Sequence, residues 1–160
     1  MRSGVAFVIL CLAASGTEAQ SAHIRRCGGS AKVDISKIQV SGCNKPGDPC
    51  HFVKGRSARI VLPFTPATAS NKVTAQVNGI LANIIPVPFQ LPNADGCSSG
   101  LHCPLTPGTP QTYINELPVS SFYPSINVGV EWKLLDERNN ELVCIRIPVT
   151  LVDYTNMNGD

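Results

Sequence analysis

The 160-residue chain lacks the sequence features of several large functional classes. No apolar run is long enough to cross a bilayer, which excludes a membrane-spanning helix. No stretch repeats its apolar residues at the helical period over a useful length, so a helical domain is not expected. The formal net charge is only +2 and the basic residues form no run, which argues against nucleic acid as a partner. The chain has no N-x-S/T sequon, so N-glycosylation is not expected.

Motifs for catalysis and metal binding are also missing. The sequence has no H-E-x-x-H, no C-x-x-C and no glycine-rich phosphate loop after a strand. His51 and His102 neighbour cysteines, but disulfide formation would consume the thiols that a zinc site needs. Residues 96–100 fit G-x-S-x-G, yet a nucleophile elbow at Ser98 would need a strand before it and a helix after it. We therefore expect no enzyme, no metal and no cofactor.

The first residues have the pattern of a secretory signal peptide. Arg2 provides the positive charge, a short apolar run follows as far as Leu12, and small residues precede a cleavage point after Ala19. This assigns residues 1–19 to the signal peptide and residues 20–160 to a single domain. We expect the processed chain to be secreted.

Cysteine usage agrees with export. The chain has seven cysteines, one of which, Cys11, lies in the predicted signal peptide. The remaining six allow 15 pairings, and an even number in an exported chain indicates disulfides. Closure over short distances favours two local bridges, which leaves the first and last cysteines to connect the two ends of the domain. The expected bridges are Cys43–Cys50, Cys97–Cys103 and Cys27–Cys144.

Alternating apolar residues predict about seven short strands and no helix. The clearest strand covers residues 126–134, and others cover 31–40 with a bulge, 56–64, 72–79, 111–117 and 142–152. Pro148 predicts that the last of these is an edge strand or is interrupted by a bulge. We expect an all-β fold in which two antiparallel sheets form a sandwich.

The segment from Gly79 to Pro104 is unusual because it is both apolar and rich in proline. Prolines at positions 86, 88 and 92 exclude a central strand and a helix, so we interpret the segment as a stiff, extended loop. An apolar loop must lie on an apolar surface or form the rim of an apolar hole. At this point a loop packed over the core and the mouth of a cavity are both open.

The inward-facing residues allow two interpretations as well. If the sheets touch, these residues form an ordinary core; if the sheets separate at one end, the same faces line a pocket. The segment with Val87 and Phe89 and the connector with Val119, Phe122 and Tyr123 would then form its mouth. Both are apolar, stiffened by proline and without an obvious core register, which favours the pocket. The candidate lining residues are Ile60, Leu62, Val77, Ile126, Val128 and Trp132.

Short motifs along the chain resemble the lipid-recognition (ML-domain) family, closely its Niemann-Pick type C-two branch of sterol carriers. Each motif is weak alone, but together they keep their order, include the six cysteines and cover residues 27–152. The most informative motifs are Cys27-Gly28-Gly29-Ser30, Val77-Asn78-Gly79-Ile80-Leu81, Pro86-Val87-Pro88-Phe89, Asp95-Gly96-Cys97, Leu117-Pro118-Val119, Tyr123-Pro124-Ser125-Ile126 and Glu131-Trp132.

The resemblance implies an immunoglobulin-like sandwich with three disulfides, paired as above, and an apolar cavity between its sheets. It also implies a monomeric carrier that binds cholesterol or a related sterol. Such a carrier passes its ligand to a membrane or a membrane-protein acceptor during transient contact, outside the cell or in the lysosome. In the family, counterparts of Phe89, Val119 and Tyr123 stand at the pocket entrance. Counterparts of Ile60, Leu62, Val77, Val87, Leu117, Ile126 and Trp132 lie along the interior.

The chain also departs from this branch. Ile145 stands where mammalian carriers have tryptophan, and one residue is inserted near Asn83, in the loop that touches the membrane partner. Two other ligand classes stay open: fatty acids or semiochemicals, and microbial lipids recognised in innate immunity. The microbial-lipid function would need a basic rim, for which the candidates are Lys32, Lys37, Arg56 and Arg59.

Overall fold

The computed structural model describes residues 24–44 and 47–154, so the predicted signal peptide lies outside the described residues and stays a prediction. Strands dominate these ranges, with two short 3₁₀ turns at Ile35–Lys37 and Gly96–Ser98. No helix within them is long and apolar enough to cross a membrane. The strands are β1 (Arg25–Gly28), β2 (Gln39–Val40), β3 (Cys50–Val53), β4 (Ser57–Phe64), β5 (Thr74–Leu81), β6 (Ile85–Phe89), β7 (Gln111–Pro118), β8 (Asn127–Leu135) and β9 (Glu141–Val152).

The strands form two sheets around one core. The larger sheet has the order β1-β9-β8-β5-β6, with β3 also paired to β9, and the smaller sheet has the order β2-β4-β7. Neighbouring strands are antiparallel apart from β3 and β9, which run parallel. The all-β sandwich expected from the sequence is confirmed. So are its three disulfides, Cys27–Cys144, Cys43–Cys50 and Cys97–Cys103.

The core forms because each long strand turns alternate residues inward, where the two sheets bury them against each other. The inward row of β8 runs from Val128 to Leu134 and is at most 6% exposed. The inward row of β4 runs from Ala58 to Phe64 and is equally buried. Both rows are the ones that the alternation in the sequence predicts.

The predicted strand over residues 31–40 is wrong. Within this range the structure has an isolated bridge from Lys32 to Thr65 and the two-residue strand β2. Between them the Asp34 carboxylate accepts a hydrogen bond of 3.0 Å from the Ser36 N–H and caps a 3₁₀ turn. A short acidic side chain that bonds nearby backbone competes with strand pairing. The predicted strand number was also too low, because the short strands β1, β3 and β6 were not expected.

The prediction that Pro148 marks an edge strand or a bulge is wrong, because β9 has partners on both sides at the centre of the larger sheet. On one side it pairs with β8 along its length. On the other side β1 pairs as far as Arg146 and β3 begins at Val149, so Pro148 lies in the gap between them. Proline is tolerated there because the neighbouring strand is interrupted at that position.

The prediction of a loop over residues 79–104 is wrong for two parts of the segment, the first of which, residues 79–81, is the end of the central strand β5. Residues Ile85–Phe89 form β6, which pairs with β5 as the last strand of the larger sheet. An edge strand needs hydrogen bonds on one side only, so prolines whose nitrogens face outward do not break the pairing. The proline-rich segment is therefore the rim of the sandwich.

Candidate functional site

A small apolar pocket lies at one end of the sandwich, between β6 and the connector that joins β7 to β8. Its volume is about 120 Å³. Five of the residues predicted for the site contribute to it, and the other five lining residues were not predicted. The lining residues are Gly79, Leu81, Val87, Pro88, Phe89, Tyr123, Pro124, Ile126, Val128 and Leu151. We call this space the apolar pocket.

Phe89 and Tyr123 meet at the apolar pocket and form what we call the entrance pair. Their ring centroids are 5.4 Å apart and their planes are 82° apart, an edge-to-face contact between half-buried aromatic rings. The Phe89 ring lies against β5 at Gly79. A Cβ atom added to Gly79 would be only 2.7 Å from Phe89 Cε2, so the ring occupies the space that a side chain there would need. An aromatic pair of this kind contributes about 0.5–1.5 kcal/mol beyond the area it buries. Separating the two rings therefore costs little free energy.

The other predicted lining residues lie deeper and do not line this pocket. Ile60, Leu62, Val77, Leu117 and Trp132 are at most 2% exposed and belong to one continuous core with the inward rows of both sheets. The sheets are thus in contact over most of their length. The apolar pocket lies at the end that carries the entrance pair.

The closed end of the core contains a hydrogen-bonded group that the sequence reasoning missed. The Tyr113 hydroxyl accepts hydrogen bonds from Trp132 Nε1 at 3.2 Å and from Asn115 Nδ2 at 2.8 Å. Burial raises the pKa of Tyr113 although both donors favour its ionised form. In the sequence, polar Asn115 between Tyr113 and Leu117 on the inward row of β7 was the indication.

A second, more polar space lies beside the entrance pair, and we call it the side groove. Its volume is about 550 Å³, and Tyr123 contributes to both spaces. Val119, predicted at the entrance, lies here and is buried. Arg56 is the member of the predicted basic rim that lines this groove. The lining residues are Gly55, Arg56, Ser57, Gln90, Leu91, Pro92, Pro118, Val119, Ser120, Ser121 and Tyr123.

Polar contacts hold together the part of the rim formed by the ends of β3 and β9. Lys54 Nζ lies 2.8 Å from an Asp153 carboxylate oxygen, and Ser125 Oγ donates to the same carboxylate at 3.2 Å. The hydrogen bond from Lys54 lowers the pKa of Asp153. These contacts connect the connector to the end of β9, whereas the entrance pair meets through apolar ring atoms. The rim therefore has a polar side and an apolar side.

Comparison with known proteins decides what kind of domain this is. The family model for the ML domain matches residues 21–151. The chain belongs to the ML-domain family. It is 42% identical to "NPC intracellular cholesterol transporter 2" of Mus musculus over 151 residues, which are 94% of this chain and 99% of the relative. It is 41% identical to the protein of the same name from Bos taurus, over 91% of this chain and 94% of the relative.

A solved structure supports the fold of this ML domain. The crystal structure of a Niemann-Pick type C2 protein from Japanese carpenter ant matches with a TM-score of 0.74 at 24% identity, covering 81% of this chain and 98% of that one. The resemblance to the Niemann-Pick type C-two branch, expected from the short motifs, is confirmed by these relatives.

Ser98, considered for catalysis, and a cysteine–carboxylate cluster that the structure brings together both have structural roles in this ML domain. Ser98 lies in a 3₁₀ turn, where its hydroxyl donates to the Asp95 carbonyl at 3.1 Å, so the strand–turn–helix of a nucleophile elbow is absent there. Cys27, Cys144 and Glu131 lie within 4.8 Å of one another, but the two cysteines form a disulfide and offer no thiolate.

Proposed function

We propose that this protein is a carrier that binds cholesterol or a related sterol between its two sheets. The observation that carries the proposal is the apolar pocket at the open end of the sandwich, where the entrance pair forms part of the lining. The relatives with about 40% identity bear the name of a cholesterol transporter, which supports a sterol as the ligand and a carrier rather than an enzyme.

The sheets must separate at this end before a lipid can enter. Pockets that bind small molecules usually measure about 300–1,000 Å³, and the apolar pocket has about 120 Å³. Burying some ten carbon atoms of a ligand supplies roughly 8 kcal/mol at 0.8 kcal/mol per CH₂. That gain exceeds the contribution of the entrance pair, so ligand binding can drive the first opening at the rim.

The predicted site residues divide into two groups in this mechanism. Phe89, Val119 and Tyr123 form the entrance, and Val87, Ile126 and Val128 contact the ligand first. The deeper residues line the cavity only after the sheets have parted: Ile60, Leu62, Val77, Leu117 and Trp132.

Release requires an acceptor for a ligand that water does not dissolve. We propose transient contact with a membrane or a membrane-protein acceptor, made by apolar side chains beside the apolar pocket. Ile84 is 78% exposed, Ile85 is 53% exposed and Phe122 is 95% exposed. Large apolar residues exposed together mark interaction surfaces. We propose that the protein acts as a secreted monomer, outside the cell or in the lysosome.

The test is binding of dehydroergosterol, a fluorescent sterol, to the parent protein and to Val87→Glu. Val87 lines the apolar pocket and is 44% exposed, so a carboxylate there is tolerated by the fold but places a charge against the ligand. We expect sterol binding to weaken at least about tenfold. Ile84→Glu is the matched control, because Ile84 lies in the neighbouring turn outside the pocket. Equal sterol affinity in the parent and Val87→Glu would remove the pocket assignment.

A further inference from the structure

A groove on the outer face of the larger sheet has no part in the proposed carrier function. It crosses β5, β8 and β9 where Ile80 is the cross-strand partner of Gly129, and Gly129 is the partner of Pro148. Side chains at these positions point away from the core, because their neighbours along each strand point inward. The volume of the groove is about 510 Å³. We call this space the outer groove.

The floor of the outer groove is apolar, whereas the outward face of an antiparallel sheet is usually polar. Ile80 is 6% exposed, yet among the described residues it is not part of the core between the sheets. A Cβ atom added to Gly129 would lie 3.6 Å from Ile80 Cβ, so Ile80 forms one wall of the space that the glycine leaves. A glycine inside a strand often marks a place where another chain approaches closely. The floor therefore has room for an apolar side chain between Ile80 and Pro148.

Two arginines line one end of the outer groove and stand opposite each other. Arg25 of β1 and Arg146 of β9 are cross-strand partners, so their side chains share the outer face. Like charges in this arrangement destabilise a strand pair. The Glu131 carboxylate lies 3.0 Å from the Arg146 guanidinium and also pairs with Lys133 Nζ at 3.4 Å. One carboxylate shared in this way does not neutralise both arginines.

Arg25 makes no ion pair with any described residue. Asp48 precedes Pro49 at the margin of the groove, but in the described structure it pairs with neither arginine. No acidic side chain is among the described residues that line the outer groove. An anionic group from another molecule would therefore relieve the repulsion between the two arginines.

We infer that the outer groove binds an acidic segment of a partner protein, with an apolar side chain over Gly129 and a carboxylate at Arg25. Gly129 and Arg25 lie two strands apart, roughly 10 Å across the sheet, which three or four extended residues span. A planar guanidinium matches a carboxylate with two parallel hydrogen bonds. This interaction goes beyond the carrier function and needs no lipid between the sheets.

The probe is the capped peptide Ser-Leu-Ser-Glu-Glu-Ser, and its control peptide has glutamine in place of both glutamates. Two-dimensional NMR of the isotope-labelled protein measures the affinity and locates the peptide through shifts of backbone amide signals. The proteins are the parent, Arg25→Gln, Gly129→Leu and the matched control Arg59→Gln, which removes an exposed arginine from the smaller sheet. At roughly 50 mM salt we expect the parent to bind the glutamate peptide about fivefold more tightly than the glutamine peptide.

The largest shifts should occur at Arg25, Ile80 and Gly129. Arg25→Gln should reduce the preference for glutamate to about one, and Arg59→Gln should keep it. Gly129→Leu should weaken the binding of both peptides about fivefold or more, because its side chain fills the floor; its Cβ atom meets Ile80 at an ordinary contact distance, so the fold is kept. Raising the salt to roughly 500 mM should reduce the preference of the parent, because an exposed ion pair is screened.

No binding of the glutamate peptide by the parent, shifts centred on the entrance pair, or an unchanged preference in Arg25→Gln would overturn the inference. The Arg25→Gln result decides alone if Gly129→Leu does not fold. Two other occupants would also overturn it. Binding to phosphatidylglycerol vesicles that Gly129→Leu abolishes, without peptide binding, would assign the groove to a membrane. A parent dimer in sedimentation that Gly129→Leu dissociates would assign it to a second copy of the chain.

Discussion

The two ends of the space between the sheets are built from similar apolar residues but packed differently. At the closed end, Leu62, Tyr113 and Trp132 are at most 1% exposed, and the tyrosine hydroxyl and the indole N–H are hydrogen-bonded to each other. At the open end, Phe89 and Tyr123 are half-buried beside a void of about 120 Å³. The closed end therefore supplies most of the stability, and the open end is where a guest can enter.

The difference follows from the elements that form each end. The closed end lies between β4, β7, β5 and β8, whose long ladders pair over at least seven residues. The open end is bounded by the edge strand β6 and an irregular connector, and both contain proline. Segments with few backbone hydrogen bonds and little buried apolar area separate at lower free energy than central strands. Opening can thus begin at the rim, and the backbone ladders within each sheet stay paired as the sheets part.

The largest expected effect comes from truncating an aromatic side chain at the closed end. Trp132→Ala should lower the free energy of unfolding by about 3–5 kcal/mol, because it leaves a cavity and removes the donor to Tyr113. Phe89→Ala at the open end should cost only about 1–2 kcal/mol, since its ring is half-buried beside an existing void. Equilibrium unfolding in guanidinium chloride measures both. Equal losses would show that the open end is packed as tightly as the closed one.

A smaller effect is the pH dependence of the free energy of unfolding, which tests whether water reaches the closed end. Burial raises the pKa of Tyr113 above its ordinary value of 10.0. The unfolded chain therefore loses this proton first, so stability is independent of the group below about pH 10 and falls as the pH rises towards the higher folded value. The slope is at most about 1.4 kcal/mol per pH unit.

Tyr113→Phe should remove the contribution of this tyrosine to the fall of stability with pH. The contributions of the other titrating groups should stay the same. Guanidinium unfolding at several pH values between about 8 and 11 measures the difference, since each titrating group contributes at most about 1.4 kcal/mol per unit. Parent and variant with the same slope would mean that water reaches the hydroxyl. The interior would then be hollow at its deep end, contrary to the packing described above.

The sequence allowed the packed part of the fold to be predicted better than the open part. Alternation located the inward rows of β4 and β8, because a half-buried strand needs it, and cysteine spacing indicated the three bridges. The pattern could not reveal that Asp34 would cap a turn, or that β6 would pair in spite of its prolines. In each case the outcome depends on whether a neighbouring strand is present to pair with the segment, which a one-dimensional pattern does not show. Nor could it distinguish a core residue such as Leu62 from a pocket residue such as Val87, because apolar side chains serve both.

The smallest effect on stability is expected at the exposed tips of the open end, where the change should appear in ligand transfer instead. Ile84→Ser should alter the free energy of unfolding by less than about 0.5 kcal/mol, since the side chain is already in water. Dehydroergosterol binding at equilibrium should also stay unchanged, because Ile84 does not line the apolar pocket.

Transfer of the sterol to phospholipid vesicles should slow severalfold if Ile84 contacts the bilayer during release. The matched control is Ile114→Ser, which removes a partly exposed isoleucine from β7, where it faces away from the core. Stopped-flow transfer to vesicles containing an energy acceptor measures the rate for each protein. Similar rates for the parent and both variants would show that release does not use this surface. Slowing in both variants would show that transfer responds to the loss of any exposed apolar side chain. That result would reject a specific contact between Ile84 and the bilayer.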